Sequence, residues 1–208
     1  MKVYGHPMST CTRKVLTTLG EKGQKAEFVL VDIMTGKHKT PDYLGLHPFG
    51  KVPTLEDDGF VLYESRAICR YLDEKFGGAK LHGSDLKSRA LVEQWISVET
   101  SNFTPAAMKI IMSAFFGPMM GKPVDEEAVE AGRKGVASCV EVMERQLAKH
   151  PYIAGESFSI ADIGFMPYIE YLFAGKQGGV IESSPHTAAW WQRISARPSW
   201  KAAIGQAG

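Results

Sequence analysis

A mixed α/β half followed by an all-helical half is the fold class this sequence predicts. Three observations predict it. Short apolar runs alternate with helical spacings over residues 1–76, a glycine-rich polar stretch "GGAKLHGSD" follows at 77–85, and long helical periodicities take over beyond it. The expected boundaries are a first domain at 1–78 and an all-helical domain at 86–208.

The first elements follow in order. "KVYG" (2–5) is a brief strand closed by Gly5, and Thr12 to Lys22 carries Val15, Leu16 and Leu19 at helical spacing before Gly23. "AEFVLVDI" (26–33) reads as a buried strand. "KVPTLE" and "FVLYE" flank "DDG", a hairpin signal. "SRAICRYLDEKF" opens at Ser65, read as an N-cap, and runs helically to Gly77 and Gly78. The order β-α-β, irregular connection, β-β-α builds a small mixed sheet with helices packed on it, and a thioredoxin-like domain fits that order.

The second half is helical throughout. "KSRALVEQWISVETSNFTPAAMKIIMSAFF" is too long for one unbroken helix unless Asn102 to Pro105 bends it. "DEEAVEAGRKGVASCVEVMERQLAKH" is a second amphipathic run, stopped at His150 and Pro151. A third helix starts within "ESFSIADIGFMPYIEYLF". Ser159 is its N-cap, Asp162 completes a capping-box-like turn, and Phe158 and Ile163 occupy the staple positions. That stretch is a folding feature rather than a site.

Composition narrows the classes of partner. A formal net charge of +1, without basic blocks, gives no electrostatic argument for nucleic acid or for an anionic membrane surface. Cys11, Cys69 and Cys139 form neither a CxxC pair nor a Cys/His cluster of zinc-ligand spacing, so no metal and a reduced setting are expected. "MKVYGHPMST" lacks the apolar run of a signal peptide, and no stretch approaches the ~18 apolar residues of a membrane span. A cytoplasmic protein is the expectation.

The candidate chemistry begins in "GHPMSTCTRKVL" (5–16), where Ser9, Thr10 and Cys11 stand in a row before a helix. Ser9 taken alone reads as an N-cap. Its company changes that reading. Pro53 in "KVP" (51–53) is a candidate cis proline at a sheet edge, leaving the Val52 backbone to pair with an extended peptide. Glu64 and Ser65 put a carboxylate and a hydroxyl at a helix start, where backbone N–H groups favour a carboxylate ligand. "KHK" (37–39) and Lys51 add positive charge. Together these groups suit a small peptide with a carboxylate and an ammonium at one end and a carboxylate at the other.

With those residues in place, the sequence resembles the glutathione transferases, most of all the phi class. The matching runs are "GHPMSTCTRKVL", "GKHKTPDYLGLHPFGKVPTLEDDGFVLYESRAICRYL", "QWISVETSNFTPAAMKI" and "YIAGESFSIADIGFMPYI", which span nearly the whole chain. The resemblance implies a thioredoxin-like domain followed by a helical domain, a homodimer, and glutathione as co-substrate. It implies that Ser9 is the catalytic serine whose hydroxyl stabilises the glutathione thiolate, and that His38 and Lys39 hold the glycyl carboxylate. Val52, before cis Pro53, would pair with the cysteinyl unit, and Glu64 with Ser65 would recognise the γ-glutamyl end. Lys51 stands where the phi class commonly has glutamine.

Cys11 is the alternative nucleophile, since some classes of the family use cysteine for thiol exchange. In those classes the nucleophile stands six residues before the apolar "VL" pair, the distance of Ser9 from Val15, and Cys11 is two residues closer. Thr10 is read as supporting the cap. The second substrate implied by the resemblance is a small hydrophobic electrophile, bound beside the thiolate against the helical half. Candidate contacts are Met8, Phe103, Met108, Ile111, Met112, Phe115 and Phe116, each of which also reads as core. Phe49 is a candidate plug between subunits or a residue buried in its own loop, and Arg66 and Arg70 are candidates for intersubunit ion pairs. Two other functions remain open: glutathione-dependent peroxide reduction or thiol transfer through Cys11, and a non-catalytic binding protein of the same fold.

Overall fold

The computed structural model describes residues 1–205. They form two compact units, Met1–Lys80 with the segment from Ala196 onward, and Leu81–Ser195. The division falls inside the glycine-rich stretch read as a linker.

The first unit is built on β1 (Lys2–Gly5), β2 (Glu27–Leu30), β3 (Thr54–Asp57) and β4 (Phe60–Tyr63), in the sheet order β2-β1-β3-β4. β1 pairs parallel with β2, whereas the β1–β3 and β3–β4 pairings are antiparallel. Helix α1 (Thr10–Glu21) provides the crossover between the parallel strands, as a parallel pair requires. α2 (Pro41–Leu46) follows a 3₁₀ turn at Lys37–Lys39, and α3 (Ser65–Lys75) follows β4. Buried Val3 and Leu55 from the sheet, with Val15, Leu19, Ile68 and Leu72 from α1 and α3, make the core. The β3–β4 hairpin closes through Asp58 and Gly59, both at positive φ (50° and 84°), the two-residue turn that the right-handed strand twist favours.

Three expectations change here. The run at 26–33 is strand only over 27–30, and β2 is an edge strand, with Phe28 40% and Leu30 56% exposed instead of buried. Ser65 is the first helical residue of α3 rather than its N-cap; Glu64 holds the cap position at φ 73° without a side-chain cap bond. The last helix, α11 (Pro198–Ala203), belongs to the first unit, not to the helical one. Glu21 at the end of α1 explains this. Its carboxylate accepts both Arg197 Nε (2.7 Å) and Arg197 Nη2 (2.6 Å), and the Ser199 hydroxyl donates to it as well. A Cβ at Gly20 would stand 2.9 Å from Ser199 Cβ, so the two helices meet where α1 has no side chain. A buried ion pair, Lys22 Nζ to Asp73 Oδ1 at 2.9 Å, ties the same end of α1 to α3.

The second unit comprises α4 (Leu86–Val98), α5 (Thr104–Ile110), α6 (Gly117–Met119), α7 (Glu126–Leu147), α8 (Ile160–Ala174), α9 (Gly179–Glu182) and α10 (Pro185–Ser195). α4 and α5 are joined by a π-helical turn at Glu99–Phe103, and a second one, Ile111–Phe116, follows α5. The irregularity expected at 102–105 is therefore a widened turn before Pro105, which cannot donate a helical N–H. α7 packs closely on α5 because Gly132 and Gly135 face it; a Cβ at Gly132 would lie 2.8 Å from the Ala106 carbonyl oxygen. α8 is buried on nearly every side, and its start is as expected. The Ser159 hydroxyl accepts the Ala161 N–H (3.2 Å), while the Asp162 carboxylate accepts the N–H groups of Ser159 and Ile153 and the Trp190 indole, each within 2.9 Å. Phe165 then links Phe103, Trp95 and Trp190 edge to face.

Candidate glutathione site

The strand pairings gather most of the candidate site at one end of the sheet. Tyr4 in β1 is opposite Thr54 in β3, and Thr54 is opposite Tyr63 in β4. The exit of β1, the entry to β3 and the exit of β4 therefore lie together. Ser9 follows the first, Pro53 precedes the second, and Glu64 and Ser65 follow the third.

At the β1 exit, the turn before α1 is held tightly. The Ser9 N–H donates to the His6 carbonyl (2.9 Å), the His6 N–H to Thr12 Oγ1 (3.3 Å), and Arg13 Nε to the Pro7 carbonyl (2.9 Å). A Cβ at Gly5 would lie 2.5 Å from the Thr12 methyl, so this close approach needs glycine. Ser9 is the N-cap of α1: its Oγ accepts the Thr12 N–H at 3.2 Å. That contact uses a lone pair, and no described residue accepts the Ser9 O–H. Cys11 is a half-exposed free thiol within the first turn of α1, with Thr10 Oγ1 4.0 Å from its sulfur.

The Val52–Pro53 peptide is cis. The segment leading to it is fixed by Tyr43, whose hydroxyl donates to the Lys51 carbonyl (2.7 Å) and lies 3.0 Å from Thr54 Oγ1. The 3₁₀ turn bearing His38 and Lys39 lies against the same segment. Lys39 Nζ donates to the Phe49 carbonyl (3.0 Å), and a Cβ at Gly50 would stand 2.5 Å from the His38 carbonyl oxygen. His38 Nδ1 is buried without a hydrogen-bond partner among the described residues, as is His47 Nδ1. His47 is stacked between Tyr43 and Tyr63, with ring centroids 6.4 and 4.7 Å away. Burial holds the His47 imidazole below its usual pKa, with the Lys51 and Lys39 charges adding to that effect and the Glu64 carboxylate opposing it.

Glu64 is exposed, and its φ of 73° is a costly conformation for a residue with a side chain. Ser65 beside it is buried. Tyr43 and His47 went unnoticed in the sequence reading. Their signal, an aromatic pair at helical spacing in "PDYLGLH", is indistinguishable from ordinary core.

The apolar candidates divide by unit. Met8 is half-buried beside Ser9 in the first unit. In the second, Phe103 and Ile111 have essentially no exposed surface and are core, with Phe103 packed on Phe165. Met108 is half-buried, Met112 is 47% exposed, and Phe115 and Phe116 form a half-exposed aromatic pair against Tyr171. Among the described residues, no group of three or more His, Cys, Asp or Glu is placed to hold a metal ion. No described helix is long and apolar enough to cross a membrane.

The chain pairs a thioredoxin-like sheet unit, which carries a helix-capping serine and a cis proline, with an all-helical unit, the combination that defines one class of protein. Residues 8–75 match the family model of the glutathione S-transferase N-terminal domain, and residues 103–198 match that of the C-terminal domain. The chain is 39% identical over 199 residues to glutathione S-transferase F10 of Arabidopsis thaliana, covering 94% of this chain and 92% of the relative. Glutathione transferase F2 of Populus trichocarpa superposes with a TM-score of 0.94 at 35% identity, covering 99% and 98% of the two chains. Glutathione S-transferase I from maize, solved in complex with an atrazine glutathione conjugate, superposes at 0.92 with 34% identity, covering 99% and 97%. The chain belongs to the glutathione S-transferase family, and its relatives are of the plant phi class.

Proposed function

We propose that this chain binds glutathione in its first unit, holds the thiol as a thiolate through Ser9, and conjugates it to small hydrophobic electrophiles. The observation that carries the reading is the Ser9 hydroxyl, which caps α1 through a lone pair and keeps its proton to donate. Val52 pairs with the cysteinyl backbone. Glu64 and Ser65 take the γ-glutamyl end, Glu64 meeting the ammonium. His38, with its buried unpaired nitrogen, takes the glycyl carboxylate together with Lys39 and Lys51.

The magnitudes suffice. A free thiol with a pKa near 8.5 is only about 3% ionised at neutral pH, and lowering that pKa by about two units takes roughly 2.7 kcal/mol. A hydrogen bond to a charged acceptor contributes about 1.5–3 kcal/mol. A helix N-terminus adds about 0.3–1 kcal/mol. The thiol proton leaves to solvent, and the thiolate sulfur forms the new bond to carbon. Where the electrophile carries a leaving group such as a halide, that group departs with its bonding pair.

Met8 beside Ser9, and the exposed thioether and aromatic surface of Met112, Phe115 and Phe116 with Met108, suit varied apolar shapes. A cytoplasmic homodimer accompanies this reading. Phe49 supports the dimer, since it is 63% exposed at the tip of its loop and held edge-on by His47 and Tyr63.

The test is the ultraviolet thiolate signal of bound glutathione against pH, for the native protein and Ser9→Ala. A midpoint about two units below that of the free thiol, lost in the variant, is expected. Binding without a shift would transfer the chemistry to Cys11, and absence of binding would leave a non-catalytic protein of this fold.

A further inference from the structure

Between β1 and α1 the chain makes a tight turn over His6, Pro7, Met8 and Ser9, and its first residue bonds into it with every polar group that the turn can use. The His6 carbonyl accepts the Ser9 N–H (2.9 Å), which closes the turn, and the His6 N–H donates to Thr12 Oγ1 (3.3 Å). A further bond comes from the side chain, where His6 Nδ1 accepts the Met8 N–H at 3.2 Å. Pro7, with its fixed φ and no N–H to satisfy, suits the second place in such a turn. The first place usually holds Asn, Asp or Ser, because a short side chain there can accept the N–H two residues on. Histidine does the same here, since Nδ1 is as many bonds from Cα as the side-chain oxygen of asparagine.

These bonds converge on the serine. The His6 ring holds the Pro7–Met8 peptide and the His6 carbonyl holds the Met8–Ser9 peptide, so one residue sets both peptide planes that lead into Ser9. Thr12 ties the two ends together. Its hydroxyl oxygen takes the His6 N–H, its own backbone N–H donates to Ser9 Oγ (3.2 Å), and it is fully buried. An Nδ1 that accepts a hydrogen bond carries no proton, so the proton of this imidazole sits on Nε2. An aspartate in its place would make the same bond, but its charge would oppose a thiolate nearby.

We propose that His6 is a positioning residue for glutathione activation: by holding the Met8 N–H, its imidazole sets the direction in which Ser9 presents its hydroxyl to the thiolate. This rests on the reading of Ser9 as the thiolate donor and adds a second residue to it. His6 acts through Ser9 and makes no contact with the tripeptide. Loss of the ring bond therefore costs alignment of the donor rather than affinity for glutathione, and small misplacements of a positioned group lower rates steeply.

Two variants separate the acceptor from the ring. His6→Asn keeps an acceptor at the same reach and removes the ring, whereas His6→Phe keeps a ring and removes the acceptor. With an aryl halide at fixed pH, His6→Phe should lower kcat about tenfold and raise the thiolate midpoint of bound glutathione by about one unit. KM for glutathione should stay within about twofold of native, and His6→Asn should stay within about twofold in kcat as well. His6→Ala, which also lacks the acceptor, should match His6→Phe. Adding His6→Phe to Ser9→Ala should change nothing further, because the effect passes through the serine. Native kcat in both His6→Phe and His6→Ala, an asparagine variant as impaired as they are, a loss confined to KM, or a further loss in the double variant would each overturn the proposal while leaving the Ser9 reading in place. A Ser9→Ala chain that keeps the low midpoint would remove that reading and the proposal with it.

Discussion

The Ser9 hydroxyl oxygen lies 3.2 Å from the Thr12 backbone nitrogen and accepts its hydrogen, so the capping bond is compatible with the second task proposed for this side chain. Capping consumes an acceptor orbital, whereas holding a thiolate consumes the donor. A serine read only as a cap and a serine read only as a catalyst are therefore not competing assignments. The same bond fixes the oxygen, so its proton points from a defined origin rather than from a freely turning side chain.

The two tasks separate in Ser9→Gly. Glycine is tolerated at an N-cap, so stability should fall by only a few tenths of a kcal/mol, against about 1 kcal/mol for Ser9→Ala. Conjugation at neutral pH should fall by a similar factor in both, about 10- to 150-fold if the lost hydrogen bond to the thiolate contributes about 1.5–3 kcal/mol. Urea unfolding and rates with an aryl halide on the same samples check this. Rates that track stability across the two variants would make Ser9 a cap alone.

Asp162 should be the costliest polar side chain to remove from the helical unit. Its buried carboxylate accepts from Ile153, from Ser159 twice and from Trp190, joining the start of α8 to the preceding loop and to α10. Burial raises its pKa despite these bonds, so the group is held at a real desolvation cost. Asp162→Ala leaves several buried donors unpaired and should destabilise the chain by about 3–5 kcal/mol, measured by urea unfolding. A loss below about 1 kcal/mol would mean that water replaces the carboxylate.

Features decided within a few residues were legible in the chain itself. Asp58 and Gly59 announce their turn, and Ser159 and Asp162 announce their cap, because the partners of each are local. What was misread depends on distant placement. Whether Phe28 and Leu30 are buried depends on which strand ends the sheet, and β2 does. The attachment of α11 rests on Glu21 meeting Arg197, a pair 176 residues apart that no periodicity signals. Helical spacing marks Phe103, Ile111, Phe115 and Phe116 alike as apolar, yet only the last two keep exposed surface, although they too pack on α8 through Tyr171. The residues of the proposed site stand in the sequence as residue types in order. That Tyr43 and His47 hold their loop required the third dimension.

His47 makes the stability of the first unit depend on pH, and the sign follows from its surroundings. Its ring is buried among Tyr43, Phe49 and Tyr63, and its pKa is lowered by burial and by Lys51 and Lys39, with Glu64 opposing. The folded chain therefore keeps the imidazole neutral where the unfolded chain, with a pKa of about 6.5, takes up a proton. The unfolded state binds more protons, so stability is full above about pH 6.5 and is lost as the pH falls toward the lowered folded value. His47→Phe keeps an aromatic ring in the stack and removes the titration. Urea midpoints of the two proteins, compared from about pH 7.5 down to about pH 5, should diverge in favour of the variant as acid is added. A constant difference across that range would show that His47 titrates alike in both states, and the orphaned Nδ1 would then have to be reached by water in solution.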